Sequence, residues 1–495
     1  MAAARAEVVV VGAGIAGLSA AWVLSGGESG PDESSPVITI IEAGHEVGGK
    51  VAAISLDGAI VDAGPDGALA RRTELAELMG ELGMAGDIIP IATSGASVFA
   101  RSRLRLLPAG LQLGVPTSWR ALRRSKTISA PGLLRALIDV VAPRPASRGK
   151  LQDRSIGALV ETKLGAEVVT TLVDPMLGGI AAGRVSEMSA AAIFPPLLDA
   201  AQQRGSLMGA LRALSPAAAN GADEEEPATP TPAFISAIGG MHSVVERLAV
   251  LLEQRGVRIV TGTSATALRR AGGSDPSWAI DSSTTTSRAD GVVLAIPAAA
   301  AAELLRPHAD EAAALLDQID YASVAVVTFE IPGSEIELPE EGTGVLIPPG
   351  TRHAAGPIVG DRFMTTALTF LDRKWPQLKR EGVIRMRAHV GRIDDDRWIG
   401  LDDEVLVERV ILELGLVLER FGRPDAVAIQ RWEEALPQYR VNHLMRVGGI
   451  ESAVERLDAL AVAGAAYRGV GVPACIASGR AAGERVLDEL GRLGG

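Results

Sequence analysis

Three glycines near the start of the chain have the spacing of a phosphate-binding turn. They stand in one run directly after the apolar residues 8–11: Gly12, Ala13, Gly14, Ile15, Ala16 and Gly17. At this spacing the first glycine allows a tight turn, and the second lets the backbone approach a pyrophosphate. The third lets a helix pack closely on the preceding strand, and the start of that helix offers N–H groups to the phosphates. The run predicts a dinucleotide site, although alone it leaves the dinucleotide open.

A carboxylate and a lysine follow at positions that suit the rest of a dinucleotide. Glu42 comes after the second apolar segment, where a carboxylate can accept hydrogen bonds from both ribose hydroxyls and disfavours a 2′-phosphate. Gly48 and Gly49 permit positive φ, and Lys50 can offset the charge of a pyrophosphate. Taken singly, the alternatives are a surface carboxylate at Glu42 and a flexible turn over 48–50.

These residues need a strand, a helix and a second strand to hold them. Residues 8–11 are short, β-branched and without alternation, which is typical of a buried parallel strand. Residues 15–24 predict a helix that ends at two glycines. After a polar loop over 28–36, residues 37–41 predict a second buried strand. The sequence therefore predicts a βαβ unit with a longer loop than such units usually carry.

Further elements lie far along the chain. The apolar patterns predict a helix over 241–254 and a final helix over 473–490. They also predict buried strands over 257–260, 291–296 and 460–463. Between them, from about residue 321 to 434, short alternating patterns predict an antiparallel sheet with a helix near 404–421. The alternation is clearest over 323–331 and 363–371.

One segment is strongly basic. Against the single acid Asp139, residues 101–150 carry Arg101, Arg103, Arg105, Arg120, Arg123, Arg124, Lys126, Arg135, Arg144, Arg148 and Lys150. Helical patterns over 132–141 and 155–164 follow, and they predict a helical insertion from Pro108 to about residue 215. Residues 216–232 are rich in alanine, glutamate and proline, which predicts a mobile surface loop.

Composition excludes several classes of function. The 495 residues, enough for two or three domains, carry a net charge of −12, which argues against bulk attraction to nucleic acid. Cys475 is the only cysteine, so an intramolecular disulfide and a thiolate metal cluster are impossible. The six histidines lie too far apart for a short metal-ligand motif, and we expect no metal site. Neither a signal peptide nor an uncharged apolar run of about 18 residues is apparent, so we expect a cytoplasmic protein.

The runs VVVVGAGIAGLSAAWVL, VITIIEAGHEVGGKV and VDAGPDGAL together resemble the family of flavin amine oxidases, phytoene desaturases and protoporphyrinogen oxidases. Later segments narrow the likeness to porphyrinogen oxidases of Gram-positive and actinobacterial type. These segments are Gly239-Gly240-Met241, the RW..ALPQY stretch over 431–439, and LAVAGAAYRGVGVPACIASGRAAG over 460–483. The resemblance covers nearly the whole chain.

The resemblance implies an α/β fold built around a discontinuous FAD-binding Rossmann-like domain. Its predicted parts are residues 1–95, 234–300 and 440–495. A helical basic insertion over 96–215 and a mobile linker loop over 216–233 follow within it, and a substrate domain with an antiparallel sheet spans 301–439. This is the arrangement of amine oxidases and phytoene desaturases.

The same resemblance implies contacts with non-covalently bound FAD. The run 12–17 would wrap the pyrophosphate, Glu42 and Ala43 would meet the ribose, and Lys50 the phosphate–ribityl side. The residues implied along the flavin ring are Gly64, Pro65, Asp66, Gly67, Trp432, Val470, Gly471 and Val472. The backbone of Ala265, where most relatives carry valine, would meet the adenine. For Trp432 the alternative is a core aromatic, and for 469–473 a helix-entry turn.

The implied activity is six-electron oxidation of coproporphyrinogen III to coproporphyrin III in haem biosynthesis, with O₂ as acceptor and transfer of the product to a ferrochelatase. Protoporphyrinogen IX is the second substrate. Only one dinucleotide fingerprint exists, which favours an oxidase over a reductase. Coproporphyrinogen III carries four carboxylates and protoporphyrinogen IX two, so a basic cavity suits the first. The candidate carboxylate partners are Arg71, Arg72, Arg120, Arg123 and Arg124, and no general base is identifiable.

Several alternatives stay open. The basic segment could be a solvated face or could touch anionic lipid through 132–141, at most as a peripheral contact. The chain could be an amine oxidase or a desaturase, although only Tyr467 could serve in an aromatic pair beside the flavin. It could also be a non-catalytic protein that kept the FAD fold. Such a protein tends to lose its flavin-ring contacts, and retention of 64–67 and Gly471 argues against it.

Overall fold

Apolar segments from both ends and from the middle of the chain meet in one parallel sheet. In the computed structural model its five strands lie in the spatial order Arg258–Val260, Val37–Ile41, Glu7–Val11, Gly291–Leu294 and Leu460–Val462. Alternate residues of the central strand enter two different cores, since helices cover both faces. One face packs on Ile15–Leu24, Met241–Gln254 and Val472–Gly494, and the other on Ala298–Leu305, Asp310–Leu316 and His443–Val454. Burial on both faces explains the β-branched run without alternation.

The structure describes residues 5–93, 95–142, 152–203, 205–214, 232–272, 275–354 and 359–494. Of the predicted linker loop over 216–233, residues 216–231 lie outside this part of the chain. So do three side chains of the basic segment, Arg144, Arg148 and Lys150. Among the described residues, no helix has the length and apolar character needed to cross a membrane.

Smaller elements surround the parallel sheet. The strands Ala53–Leu56 and Ala59–Asp62 form a hairpin, and Ala68–Leu69, Phe234–Ala237 and Ile88–Pro90 form a three-stranded sheet. Ala265–Gly272, Asp275–Ser282 and Thr286–Ala289 form another. The helix Glu74–Glu81 and the short 3₁₀ turns Gly27–Ser29 and Ala85–Asp87 complete this part.

A seven-stranded, mostly antiparallel sheet forms the second layer. Its strands lie in the spatial order Ala426–Pro437, Tyr321–Pro332, Val383–Val390, Thr365–Phe370, Gly344–Leu346, Ser97–Ala100 and Arg103–Leu106. The helix Asp403–Val417 covers one face of this sheet. Leu371–Lys374 and Pro376–Leu378 are short helical turns, and Ile336–Glu337 pairs with Arg420–Phe421. The sequence assigned 97–106 to the helical insertion, whereas these residues form two sheet strands because Ser97 pairs with Val345.

The predicted insertion is helical from residue 119 onward, after the short strands Leu111–Gln112 and Val115–Pro116. Its helices are Trp119–Ser125, Ala130–Val141, Ile156–Leu164, Ala166–Val168, the π-helix Val169–Val173, Asp174–Ala181, Ala190–Ile193, Pro195–Gln202 and Leu207–Ala213. Five of them begin at a serine whose hydroxyl accepts a backbone N–H three residues later: Ser118, Ser129, Ser155, Ser189 and Ser206. Such caps stabilise a helix start by about 1 kcal/mol each and mark where these helices begin.

Candidate flavin site

The predicted phosphate-binding turn has the geometry that its glycines require. Gly12 has φ of +101°, and a Cβ there would lie 2.5 Å from the carbonyl oxygen of Ala295. A Cβ on Gly17 would lie 1.9 Å from the Gly12 carbonyl oxygen, so only glycine lets the helix approach the turn. A Cβ on Gly14 would meet no described atom within 4 Å. The helix Ile15–Leu24 has no side-chain cap, so its first turn offers backbone N–H groups to this open space.

Glu42 lies beside this turn. Its carboxylate accepts hydrogen bonds from the backbone N–H of Ala13 at 2.6 Å and of Gly44 at 2.7 Å. The backbone of Glu42 also bonds the next parallel strand, because its carbonyl accepts from Thr263 at 2.8 Å. This pairing brings the segment before Ala265 to the same edge as Glu42, where the resemblance predicts the adenosine.

The segment 48–50 closes the turn from the other side. The Gly48 N–H donates to the Ala13 carbonyl at 2.8 Å, and a Cβ on Gly49 would lie 3.4 Å from the Gly14 Cα. Both glycines have positive φ, +105° and +57°. Lys50 follows with an exposed side chain. Gly14, Gly48 and Gly49 are therefore brought together around one backbone turn, and Lys50 follows directly.

The loop 64–67 packs against backbone and is held by a buried ion pair. A Cβ on Gly64 would lie 1.9 Å from the Lys50 carbonyl oxygen, and one on Gly67 2.8 Å from that of Ile235. Asp66 accepts from Lys374 Nζ at 2.8 Å and from the Trp375 indole at 3.1 Å. Burial alone would raise the pKa of Asp66, but the positive charges of Lys374 and Arg387 and these hydrogen bonds lower its pKa well below the usual range. Asp66 is thus a fixed anion.

Two side chains of the antiparallel sheet reach the same loop. The Trp432 indole N–H donates to the Ala63 carbonyl at 3.1 Å, and the Arg387 guanidinium donates to the Gly64 carbonyl at 3.2 Å. Arg387 is 2% exposed, and its Nε has no hydrogen-bond partner among the described residues. The sheet therefore orients the loop that the resemblance places along the flavin ring.

The final helix joins the C-terminal segment to the N-terminal turn. A Cβ on Gly479 would lie 2.0 Å from the Ala16 carbonyl oxygen, so the last helix and the first one approach backbone to backbone. This contact places 470–472, the start of the last helix, near the phosphate-binding turn. Gly471 is exposed there, and a Cβ on it would meet only Pro473 Cδ, at 3.8 Å.

Comparison with known proteins identifies the family of the chain. Residues 15–487 match the family described as "Flavin containing amine oxidoreductase". The chain belongs to this family. It is 30% identical to the coproporphyrinogen III oxidase of Bacillus subtilis, over 98% of the chain and 99% of that protein. It is 29% identical to the protoporphyrinogen oxidase of Bos taurus, over 97% of the chain and 98% of that protein.

Solved structures give the same fold. A putative protoporphyrinogen oxidase from Exiguobacterium sp. 255-15 superposes with a TM-score of 0.83 and 30% identity, and the match covers 99% of both chains. The α/β fold predicted from the sequence, that of the flavin-dependent amine oxidases, is confirmed.

The residues present fit the FAD of this flavin-containing family. The turn leaves open space above Gly14 beside an uncapped helix start, which suits a pyrophosphate. Glu42 lies where its carboxylate can accept hydrogen bonds from hydroxyl groups of the ribose. To do so it releases the two backbone amides that it now binds, or binds them and the hydroxyl groups together. Gly471 leaves similar space at the start of the last helix, where N–H groups would suit the negative charge of a reduced flavin.

Four residues that contact the loops of the candidate flavin site were not predicted from the sequence. Lys374, Trp375 and Arg387 surround the loop 64–67, and Tyr439 contacts the loop before the final helix. The alternation of polar and apolar residues over 383–390 was a usable signal for Arg387. Tyr439 stood in the quoted ALPQY stretch, but nothing local indicated its contact.

The predicted carboxylate partners lie on the surface. Arg71 is exposed, and Arg72 donates to Glu74. The three arginines of the helix Trp119–Ser125 are exposed as well: Arg120, Arg123 and Arg124. The Arg123 guanidinium lies over the Trp119 ring, 5.5 Å from its centroid.

A cleft lies between the helix Asp174–Ala181 and the antiparallel sheet. Asp174, Arg392 and Asp394 lie in its wall, and Arg392 forms ion pairs with both carboxylates. None of the five candidate arginines lines this cleft. They are not brought together with the flavin loops by any contact within the described part of the chain.

Proposed function

We propose that this chain is an FAD-dependent oxidase that converts coproporphyrinogen III to coproporphyrin III in haem biosynthesis. The observation that carries the proposal is end-to-end similarity to a coproporphyrinogen III oxidase together with a flavin cradle built from both chain ends. FAD is held without a covalent bond, because the cradle consists of backbone amides, glycines and Glu42. Cys475, the only thiol in the chain, is buried behind the loop.

The reaction removes six electrons from the macrocycle in three equal cycles. Each cycle takes one hydride from carbon and releases one proton, and it reduces one O₂ to hydrogen peroxide. When bound, FAD would supply the hydride acceptor and the redox chemistry with O₂. The protein would contribute position and electrostatics: N–H groups at 470–472 would stabilise negative charge, and Trp432 and Arg387 hold the backbone of the loop 64–67.

The macrocycle is proposed to lie between the flavin and the face of the antiparallel sheet that carries Arg387 and His389. Met386, Ala388 and Val390 point into the core under the helix Asp403–Val417, so the residues between them face the loop 64–67. His389 is half-buried on that face, and its Nε2 lies 3.3 Å from the Thr369 hydroxyl. Burial, with the positive charge of Arg387, lowers the pKa of His389 to about 4, so the imidazole is neutral at neutral pH.

A neutral imidazole on this face suits a substrate with pyrrole N–H groups, because it keeps one ring nitrogen that can accept a hydrogen bond. The substrate's propionates extend beyond the ring, and basic side chains at the mouth of the site are proposed to attract them. Arg71, Arg72, Arg120, Arg123 and Arg124 remain the candidates for that role. Because all five are exposed cations, Arg72 beside Glu74 included, we expect their effect to be long-range attraction.

Steady-state kinetics with both porphyrinogens test the substrate. Purified protein with bound flavin is given coproporphyrinogen III or protoporphyrinogen IX in air, and porphyrin fluorescence and peroxide are followed. We expect a higher kcat/KM for coproporphyrinogen III and about one peroxide per electron pair. A higher kcat/KM for protoporphyrinogen IX would make that compound the substrate instead of coproporphyrinogen III. Absence of porphyrin fluorescence with both compounds would overturn the proposal. Product formation under argon at an undiminished rate would overturn O₂ as acceptor.

Charge reversal tests the basic segment. The triple change Arg120→Glu, Arg123→Glu and Arg124→Glu should raise KM more for the substrate with four carboxylates than for that with two. Protoporphyrinogen IX serves as the internal control, since both substrates share the macrocycle. Equal increases in KM would place these arginines away from the route of the substrate.

Protoporphyrinogen IX is the second candidate, because the Bos taurus relative and the Exiguobacterium structure carry that name. An aromatic pair of the amine oxidase kind is disfavoured, since Tyr467 is 2% exposed and packs in a core cluster with Leu294 and Val447. We propose a cytoplasmic enzyme that passes coproporphyrin III to a ferrochelatase. Peripheral contact with anionic lipid remains the alternative role of Ala130–Val141, on which Leu134 and Val141 are exposed.

A further inference from the structure

One hydroxyl group ties both ends of the loop that leads into the final helix. The Tyr439 hydroxyl donates to the Ala465 carbonyl at 2.6 Å and accepts from the Gly469 N–H at 2.7 Å. Tyr439 is 5% exposed. His443 stacks on its ring, with centroids 3.8 Å apart and planes at 13°, and bonds the Tyr467 carbonyl at 2.7 Å. Two side chains from one segment therefore hold three backbone groups of the loop.

The loop needs such ties because its own backbone is permissive. Gly464 has φ of +122° and Gly469 has φ of +153°, both in the region that glycine adopts freely. A loop that can adopt many conformations loses entropy when it is ordered, and ordering it at the moment of ligand binding weakens the affinity. Hydrogen bonds that fix the loop beforehand remove that cost from the binding step.

We propose that Tyr439 is a positioning residue that pre-orders the loop 464–471 for the flavin ring. The inference rests on FAD binding in the proposed function and goes beyond it by assigning the residue that sets the loop. The backbone of the same residue accepts from the Ser189 N–H at 2.8 Å, and the neighbouring Gln438 side chain donates to the Ala181 carbonyl at 2.9 Å. Tyr439 therefore holds the loop against the helical segment as well.

The chain offers a matched series, because it contains three tyrosines and each is buried or half-buried. The Tyr439 hydroxyl has two backbone partners, both on the loop. The Tyr321 hydroxyl has one, the N–H of Ala298, at the start of a helix on the far face of the parallel sheet. The buried Tyr467 hydroxyl has no hydrogen-bond partner among the described residues. Replacing each by phenylalanine removes one oxygen atom and keeps the ring.

The test measures FAD affinity by titrating FAD into flavin-free protein and recording flavin fluorescence and visible circular dichroism. Tyr439→Phe should raise the Kd for FAD about tenfold. The change removes both hydrogen bonds of the hydroxyl, and their loss costs about as much free energy as a tenfold change in Kd. Tyr321→Phe, the control outside the loop 464–471, should change the Kd less than about twofold. The circular dichroism of bound flavin should change only in Tyr439→Phe, since only there does the loop move. A Kd for Tyr439→Phe equal to that of Tyr321→Phe overturns the inference.

A second measurement uses the wild-type protein, so it does not depend on whether the variants fold. In flavin-free protein, hydrogen exchange at the Gly469 amide reports whether the loop is already ordered. Slow exchange before FAD is added supports the inference, and protection that arises only with FAD overturns it. The two proposals fail differently: retained FAD without porphyrinogen oxidation overturns the proposed function alone. A wild-type protein that binds no FAD overturns both.

Discussion

Acid should destabilise this protein through His443, and the size of the effect follows from one missing partner. The Nε2 atom of His443 donates to the Tyr467 carbonyl, and its Nδ1 is buried without a partner among the described residues. A second proton would have to sit on Nδ1 with no acceptor in reach. Burial therefore lowers the pKa of His443 to about 4, although the bond to Tyr467 partly opposes the shift.

The sign of the pH dependence is set by which state, folded or unfolded, binds the proton more tightly. Unfolded histidine titrates near 6.5, above the folded value of about 4, so the unfolded state binds the extra proton first. His443 contributes its full stability above pH 6.5 and loses it as the pH falls towards 4. With 1.36 kcal/mol per pKa unit, the loss from pH 7 is about 2 kcal/mol by pH 5 and about 3 kcal/mol by pH 4.

The assay compares wild type with His443→Gln by denaturant unfolding of flavin-free protein at pH 7, 6, 5 and 4. Glutamine can still donate to the Tyr467 carbonyl but does not titrate, so every other ionising group, His389 included, cancels in the difference. At pH 7 the wild type should be the more stable, since the ring stacks on Tyr439. That advantage should shrink by about 2 kcal/mol at pH 5. A difference that stays constant from pH 7 to pH 4 would refute the assignment of the proton to a partnerless Nδ1.

Two further predictions concern the flavin cradle. Gly479→Ala should lower the free energy of unfolding by about 2 kcal/mol and weaken FAD binding, because its Cβ would overlap the Ala16 carbonyl. Denaturant midpoints check this against Gly491→Ala in the same helix, where the Cβ meets nothing within 4 Å and a gain of about 0.5 kcal/mol is expected; equal midpoints would contradict the close helix contact. Glu42→Gln should raise the Kd for FAD about tenfold, since a charged acceptor binds hydroxyl groups more strongly than an amide. Fluorescence titration checks it against the exposed Glu46→Gln, and matching affinities of the two variants would remove Glu42 from the ribose site.

Local patterns were sufficient wherever the structure is set by neighbours in the chain. The helix Ile15–Leu24, the strand Val37–Ile41 and the helix Met241–Gln254 have the predicted bounds, because glycines and polar loops delimit continuous apolar segments. The strands over 97–106 were mistaken for part of the helical insertion. Their partner Val345 is far along the chain, and no local pattern encodes such pairing.

The basic segment shows a second limit of sequence reasoning. A dense run of arginines indicated a carboxylate site, yet the described arginines on Trp119–Ser125 are exposed. The cations that touch the loop 64–67 are not part of a dense basic run: Arg387 stands between Met386 and Ala388, and Lys374 follows a single arginine. Both are buried or half-buried beside Asp66. Burial strengthens an ion pair, so one buried cation shapes a site more than several solvated ones.

The strand Val383–Val390 shows how far a local pattern can predict the site. Its sequence alternates, with Arg385, Arg387 and His389 on one face and apolar residues on the other, and that much follows from the two-residue period of a strand. Three polar groups on one face of a central strand must be covered by something polar. Only the fold identifies what covers them: Arg387 donates to the carbonyl of Gly64 in the loop 64–67, whereas Arg385 pairs with Glu330 of the neighbouring strand. The candidate flavin site therefore draws on three parts of the chain, and the antiparallel sheet supplies the contacts that hold the loop 64–67.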